Sequence, residues 1–561
     1  MKPAVILCFV LLSLCLLLAA CRKKPDASQT ESAPDAASSA GKYPVNEKGE
    51  AVINDVAPAV SADDNACVFY EIFVGAFSDS DGDGIGDLRG IISRMDYLND
   101  GKPDSGLSLG VEGLWLTPVF ASPSYHKYDV TDYYRIDPQF GTMEDLKTLI
   151  ALCHERGVKL ILDLPLNHTA TDNEWFLAFR AARAKEDPSD PYYNFYTCYP
   201  AGGKLPDDRR FTALAGTDVV YECNFSEGMP ELNFDSEAVR LALLDVAKYY
   251  LALGVDGFRF DAAKYPYLGE NAANISFWTW YMAELRAVKP DVYAVAEVWD
   301  TDNVTDAYYA AVDCFNFTGA QAEGLITSAV KTGDISSYMT YLEEYLNTVQ
   351  AKRPGALLHA FIANHDTDRA AGYLSLTNGQ MQMAANLYLL GPGSPFIYYG
   401  EEIGMKGSRG SAHTDANRRL AMLWGDNDTV KDPVGSDYDA SAQVNGTLAS
   451  QLGTDSSLYT HYKRLLMIRR AFPAIARGSF APLSLSYGCG GFIAGYEGES
   501  VCVLHNVLNT ELKLKLSDLS AEFRFTQIGA VIGADSTSYA RIEGEELILS
   551  PQTSAVLQPG K

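Results

Sequence analysis

Three carboxylates in this chain end or interrupt apolar runs, where a charge is costly unless something uses or pairs it. Asp261 closes the stretch Gly254-Val-Asp-Gly-Phe-Arg-Phe-Asp. On a strand, Arg259 and Asp261 lie two apart and face the same way. A guanidinium beside a carboxylate keeps it ionised at neutral pH, the state a nucleophile needs. Glu297 interrupts Ala294-Val-Ala-Glu-Val-Trp. Such surroundings raise a carboxyl pKa by desolvation and favour a protonated acid. Asp366 ends Phe361-Ile-Ala-Asn-His-Asp. An isolated R-x-D is more often a structural ion pair, but here three acids share one kind of position. A carboxylate that attacks, set about 5 to 5.5 Å from an acid that donates, is the arrangement of retaining glycoside hydrolysis. In that scheme Asp261 attacks the anomeric carbon. Glu297 protonates the leaving oxygen and then activates water, and Asp366 binds hydroxyls of the distorted sugar. His168 and His365 would donate hydrogen bonds to the same sugar, and Tyr128 with Asp129 would stack on it and bond to it.

Residues so far apart in sequence need a scaffold that returns to one place. Buried strands are expected at 67–73, 113–119, 158–164, 254–261, 292–298, 314–317, 357–362 and 395–399. Helical patterns lie between them. Thr142 with Asp145 makes a capping box, and Val239, Leu243, Val246, Tyr250 and Leu253 mark an amphipathic helix. Tyr459 to Ile475 reads as the last helix. Eight strands alternating with helices give an α/β fold, a (β/α)8 TIM barrel, which places its site at the C-terminal strand ends. Two segments break the rhythm. Residues 169–228, rich in Tyr and Pro, read as a subdomain inserted after strand 3. From 479 to 561, short β-rich runs read as a C-terminal antiparallel β-sandwich. The barrel takes 65–168 and 229–478. Gly257 is expected where backbone passes close to a neighbour.

A second chemistry is written into Asp79-Ser-Asp-Gly-Asp-Gly-Ile-Gly-Asp87. Asp79, Asp81, Asp83 and Asp87, with the carbonyl of Ile85, offer hard oxygen ligands in a glycine-rich turn, the ligand type Ca2+ takes. The net charge of -27 argues against nucleic acid as a partner and fits a neutral substrate.

Residues 1–20 read as a signal peptide: Lys2, then an uncharged apolar run ending Leu18-Ala-Ala-Cys21. That ending resembles a bacterial lipoprotein box, which implies lipidation of Cys21, a membrane anchor and an exported protein facing the periplasm or cell exterior. Residues 21–64 then form a flexible tether. Seven cysteines follow, Cys67, Cys153, Cys198, Cys223, Cys314, Cys489 and Cys502, with no C-x-x-C. Cys198 and Cys223 are the candidate disulfide pair of an exported chain.

The motifs together resemble the α-amylase family, glycoside hydrolase family 13. DLPLNH (163–168), GFRFDAAKY (257–265), AEVW (296–299) and FIANHD (361–366) resemble its four conserved regions in order, and MPELN (229–233) and GSPFIYYGEE (393–402) resemble two more. The resemblance spans about 67–475 and is closest to the branch between oligo-1,6-glucosidases and neopullulanases, which includes exported lipoprotein amylases. It implies Asp261 as nucleophile, Glu297 as acid/base and Asp366 as transition-state stabiliser. It also implies substrate contacts from Tyr128, Asp129, His168, Arg259, Lys264 and His365. Tyr265 departs from the pattern, standing where many α-amylases carry His. Asn167 and Glu231 match two ligands of a second calcium site in those enzymes. The function implied is a monomeric retaining hydrolase of α-1,4-glucosidic bonds in starch or maltooligosaccharides. A 4-α-glucanotransferase would use the same intermediate, and complete acids argue against an inactive glucan-binding protein.

Overall fold

Side-chain alternation along parallel strands sets both the core and the site. The computed structural model describes residues 64–102, 105–410 and 414–560. The signal-peptide reading and the tether up to residue 63, Cys21 included, fall outside them. Seven strands form one parallel sheet: Phe69–Ile72, Gly113–Leu116, Lys159–Leu164, Gly257–Phe260, Tyr293–Ala296, Asp313–Cys314 and Phe396–Tyr398. The first pairs with both the second and the last. The gap between Asp313–Cys314 and Phe396–Tyr398 is filled by 357–362. There His359 bridges Phe315 in parallel, and the carbonyls of Leu358 and Ala360 accept from Ser394 and Phe396 at 2.8 Å. This stave, the seventh of eight in chain order, closes the barrel. The N-terminal strand ends form its floor and the C-terminal ends its rim.

Inward positions change character from floor to rim. Low in the barrel, Phe69, Trp115, Ile161, Tyr293, Phe315, Phe361 and Phe396 pack as one cluster. Two residues further along their strands come Glu71 after Phe69 and Asp163 after Ile161. The fourth strand climbs from Gly257 through Arg259, and Asp261 follows at its end. The ladder sets Asp163 beside Arg259. Gly257 is where the neighbouring strand comes closest: a Cβ there would lie 1.9 Å from the Tyr293 carbonyl oxygen, so no other residue fits without moving the ladder.

The inserted segment carries the helix Glu174–Ala184 and a three-stranded antiparallel sheet, Cys198–Pro200, Phe211–Ala213 and Val219–Glu222. After the barrel, two antiparallel sheets of five and three strands occupy Ala481–Pro482 to Thr553–Pro559 and share their own apolar cluster. The floor is also where the described chain begins: Arg477 grips Asp64 through two bonds, Nε at 2.6 Å and Nη2 at 2.9 Å.

Two expectations are corrected. The last helix is two, Leu458–Ala471 and Ala474–Arg477, because Pro473 cannot donate to the ladder of the first. Cys198 and Cys223 are not bonded; both thiols are free. Cys198 stands opposite Tyr221, which leaves Cys223 two residues along on the diagonal, outside the close pairing a disulfide needs.

Candidate active site at the barrel rim

The strand pleat delivers Arg259 to the centre of the rim, fully buried. Its Cζ lies 5.3 Å above the Trp115 ring. Nη1 donates to Asp163 Oδ1 at 2.8 Å and to Asp261 Oδ1 at 2.6 Å. Nη2 lies 3.1 Å from Glu297 Oε2. One guanidinium therefore touches the acids of the third, fourth and fifth strand ends. Burial pushes Glu297 up to about 7, with Arg259 pulling it down and Asp261 and Asp366 pushing it further up. Burial likewise pushes Asp163 up to about 7 against the pull of Arg259. Ala262, directly after Asp261, adopts a left-handed backbone with φ of 43°, a region costly for residues with a Cβ. The turn has a use: the Ala262 N–H donates to Glu297 Oε2 at 2.9 Å. The one side-chain hydrogen bond and the ion pair formed by Glu297 thus both engage Oε2.

Asp366 is held from the other side. Arg419 donates through Nη2 to its Oδ1 at 2.7 Å, and His365 Nε2 lies 3.0 Å from its Oδ2. Burial alone would raise this carboxyl; His365 and then Arg419 outweigh it and hold Asp366 well below the usual carboxylate range. His365 is itself braced by Glu71, whose Oε1 lies 2.5 Å from Nδ1. Burial lowers the imidazole, but Asp366 and Glu71 together carry it to about 10, so both ring nitrogens hold protons. Tyr128 lies parallel to His365, with centroids 5.6 Å apart, and its hydroxyl donates to Asp163 at 2.9 Å.

Other expected residues take different places. His168 is buried beneath the rim, with no hydrogen-bond partner on either ring nitrogen. Burial lowers its pKa, so it is neutral. The Asp129 carboxylate accepts from the Ser122 and Ser124 hydroxyls, bracing the loop that carries Tyr128. Lys264 donates to the Trp299 carbonyl at 2.8 Å and to Asp300 at 2.9 Å, tying the loop after the fourth strand to the loop after the fifth. Beside it, Trp299 is 43% exposed and stacks on Phe317 at 4.9 Å. Arg419 and Glu71 were not among the expected site residues. Glu71 could have been noticed as a lone carboxylate in an apolar strand. Arg419 had no local signal, since its partner is 53 residues away.

In the acidic loop, ligand oxygens of Asp79, Asp81 and Asp87 lie within 4.8 Å of one another. Three converging carboxylates suit a hard cation. Asp83 stands outside that group, its Oδ1 accepting from the Ile85 N–H at 2.7 Å. Asp87 also caps the helix Leu88–Ser93 through Gly90 N. At the second position, Asn167 Nδ2 donates to Glu231 at 3.1 Å while Asn167 Oδ1 has no partner.

A closed parallel barrel with a guanidinium-held carboxylate beside a second, mostly covered carboxyl group at its rim defines a glycoside hydrolase. The family profile "Alpha amylase, catalytic domain" matches residues 71–478, and the chain belongs to the alpha-amylase family. It is 33% identical over 505 residues to alpha-amylase 3 of Dictyoglomus thermophilum, covering 88% of this chain and 93% of that one. It is 30% identical over 346 residues to a 4-alpha-glucanotransferase of Thermotoga neapolitana, covering 60% and 72%. Among solved structures, Eubacterium rectale Amy13B superposes with a TM-score of 0.82 at 33% identity, covering 90% of this chain and 97% of that one.

The raised acid fixes the direction of one pH effect. A general acid works while protonated, so turnover of unactivated oligosaccharides is expected to fall as pH rises through about 7. Glu297→Gln should leave a far smaller rate on those substrates, without that alkaline limb, and should spare activated aryl glucosides. An unchanged limb in the variant would assign it to another group.

Proposed function

We propose that the enzyme hydrolyses α-1,4-glucosidic bonds of starch or maltooligosaccharides with retention of configuration. The observation that carries this reading is Arg259 touching both Asp261 and Glu297. That shared contact fits the short spacing of a retaining pair, about 5 to 5.5 Å, better than the wider gap of an inverting one. Asp261 attacks the anomeric carbon while Glu297 gives its proton to the leaving oxygen, and the glycosidic bond breaks. In the second half, water attacks the same carbon and gives its proton to Glu297, and the bond to Asp261 breaks. With Oε2 engaged by Ala262, Oε1 is the oxygen that meets the leaving group. Asp366, ionised and pinned by Arg419, takes hydrogen bonds from sugar hydroxyls as positive charge develops on the ring. His168, whose ring nitrogens have no protein partner, donates to the same sugar, which stacks on Tyr128. His365, with one ring nitrogen on Glu71 and the other on Asp366, positions Asp366 instead of donating to the sugar. The test is Asp261→Asn with defined maltooligosaccharides: turnover should fall by several orders of magnitude while binding persists. Activity within tenfold of the parent would remove Asp261 from this role. With the parent enzyme, products longer than the substrate would favour transfer to sugar over transfer to water.

We further propose that Asp79, Asp81 and Asp87 hold a calcium ion that staples the loop after the first strand. When bound, the ion supplies charge balance for the carboxylates and takes no part in bond breaking. A cation bound only by the folded state adds about 2.7 kcal/mol at a hundredfold excess over its Kd. Chelation should therefore lower Tm more than it lowers room-temperature turnover, and Asp79→Ala with Asp81→Ala should abolish that response. A variant that still responds fully would move the ion elsewhere, with Asn167 and Glu231 next. The lipoprotein box supports lipidation of Cys21 and export to a membrane surface facing the periplasm or cell exterior. Cys21→Ser should shift the protein from the membrane fraction to the soluble one, and continued membrane partitioning would rule out the lipid as the anchor.

A further inference from the structure

The His365 ring meets acceptors at both nitrogens, and one of them comes from 294 residues away. Glu71, in the apolar run Phe69-Tyr-Glu-Ile72, is 1% exposed. Its Oε1 lies 2.5 Å from Nδ1 and also accepts from the His365 backbone N–H at 3.3 Å. At the other nitrogen, Nε2 lies 3.0 Å from Asp366 Oδ2 and 2.6 Å from the Tyr128 hydroxyl. That hydroxyl directs its only proton to Asp163, so toward Nε2 it is an acceptor. Two cations stand nearby, each engaged elsewhere. Arg419 holds the His365 carbonyl through Nε at 3.0 Å, not the ring, and Arg259 is bonded to Asp163. A neutral imidazole carries one N–H and one lone pair. Whichever tautomer formed here, the lone pair would face a carboxylate. Only the doubly protonated ring suits every neighbour.

We propose that Glu71 is a positioning residue of the reaction, locking His365 in its doubly protonated form so that Asp366 and Tyr128 stay set for the sugar where a histidine ordinarily titrates. With the Nε2 proton in place, His365 pins Asp366 at Oδ2 while Arg419 pins it at Oδ1. The Tyr128 hydroxyl then stays on Asp163. With Nε2 bare, its lone pair repels Asp366, and the Tyr128 hydroxyl is drawn from Asp163 to Nε2. One lost proton thus disturbs the carboxylate that takes the sugar hydroxyls and the ring on which the sugar stacks. Which nitrogens of an imidazole carry protons is set by the partners they meet, and Glu71 is the partner on the side away from Asp366. Burial lowers the imidazole, but Asp366 and then Glu71 carry it to about 10, in agreement with this geometry.

The role assigned to Glu71 rests on the retaining-hydrolase reading. The test follows first-turnover release of the aryl alcohol from an activated aryl α-glucoside, in a Glu297→Gln background that removes the titration of the acid. Glu71→Gln keeps an acceptor of the same size and drops the charge that holds the second proton on His365. The rate of this variant relative to its Glu71-bearing background is compared from about pH 6 to about pH 9. Asp163, pushed up to about 7, titrates in both proteins and cancels in that ratio. The ratio should fall with rising pH, reaching a loss of about tenfold or more at the alkaline end. The substrate concentration for half-maximal rate should change little, because Asp366 acts on the distorted sugar. Glu71→Asp restores a carboxylate and should hold the ratio level across the range. A Glu71→Gln ratio that does not vary with pH overturns the proposal. Where Glu71→Gln fails to fold, the background protein decides: its rate should stay level above about pH 8, and a steep fall there would show that His365 is not locked. No release of aryl alcohol by the enzyme with Glu297 intact overturns the hydrolase reading instead.

Discussion

A cation with no exposed surface, Arg259, is the interaction on which the rest depends. Burying a guanidinium costs several kcal/mol unless it is surrounded by charge and hydrogen-bond partners. The barrel meets that cost with Trp115 beneath and Asp163, Asp261 and Glu297 around it. The same contacts give the acids different tasks. Asp163 is fully buried and structural. Asp261 is tied by one oxygen, which leaves the other for the attack proposed for it. Glu297 feels enough desolvation to keep its proton near neutrality. Removing Arg259 would strand three carboxylates in a low-dielectric site, so its loss would damage folding and chemistry together.

The second half of the site is a relay of alternating charge. Glu71, His365, Asp366 and Arg419 form a line of acid, base, acid and base. Each carboxylate is neutralised by a neighbour, which makes the buried imidazolium tolerable and keeps Asp366 ionised. Glu71 comes from the first strand and His365 from beyond the seventh stave, with the eighth strand between them. The relay therefore also ties together the seam where the sheet closes. Backbone pairing of the stave 357–362 is sparse, one bridge from His359 to Phe315 on one side and bonds from Ser394 and Phe396 on the other, and these side chains supplement it.

Much of this was legible because a strand has period two. Arg259 with Asp261, and the lone acid in Ala-Val-Ala-Glu-Val-Trp, announce inward polar positions without any alignment. The eight staves were readable from apolar runs and the breaks between them. Legibility ended where partners are distant or where backbone turns decide. Arg419 sits in an unremarked Arg-Arg pair, and only folding brings it to Asp366. Spacing placed Asp83 with Asp79 and Asp81, yet the turn directs its carboxylate to the Ile85 N–H. Cys198 and Cys223 flank one hairpin, but strand register sets them on a diagonal.

The grip of Arg477 on Asp64 has a geometric consequence. The described chain enters the barrel at its floor, and the side chains proposed to do the chemistry stand at the opposite mouth. Any segment N-terminal to Asp64 joins the enzyme at its base, as a stem joins a cup. The depth of the barrel then separates that point of attachment from the opening.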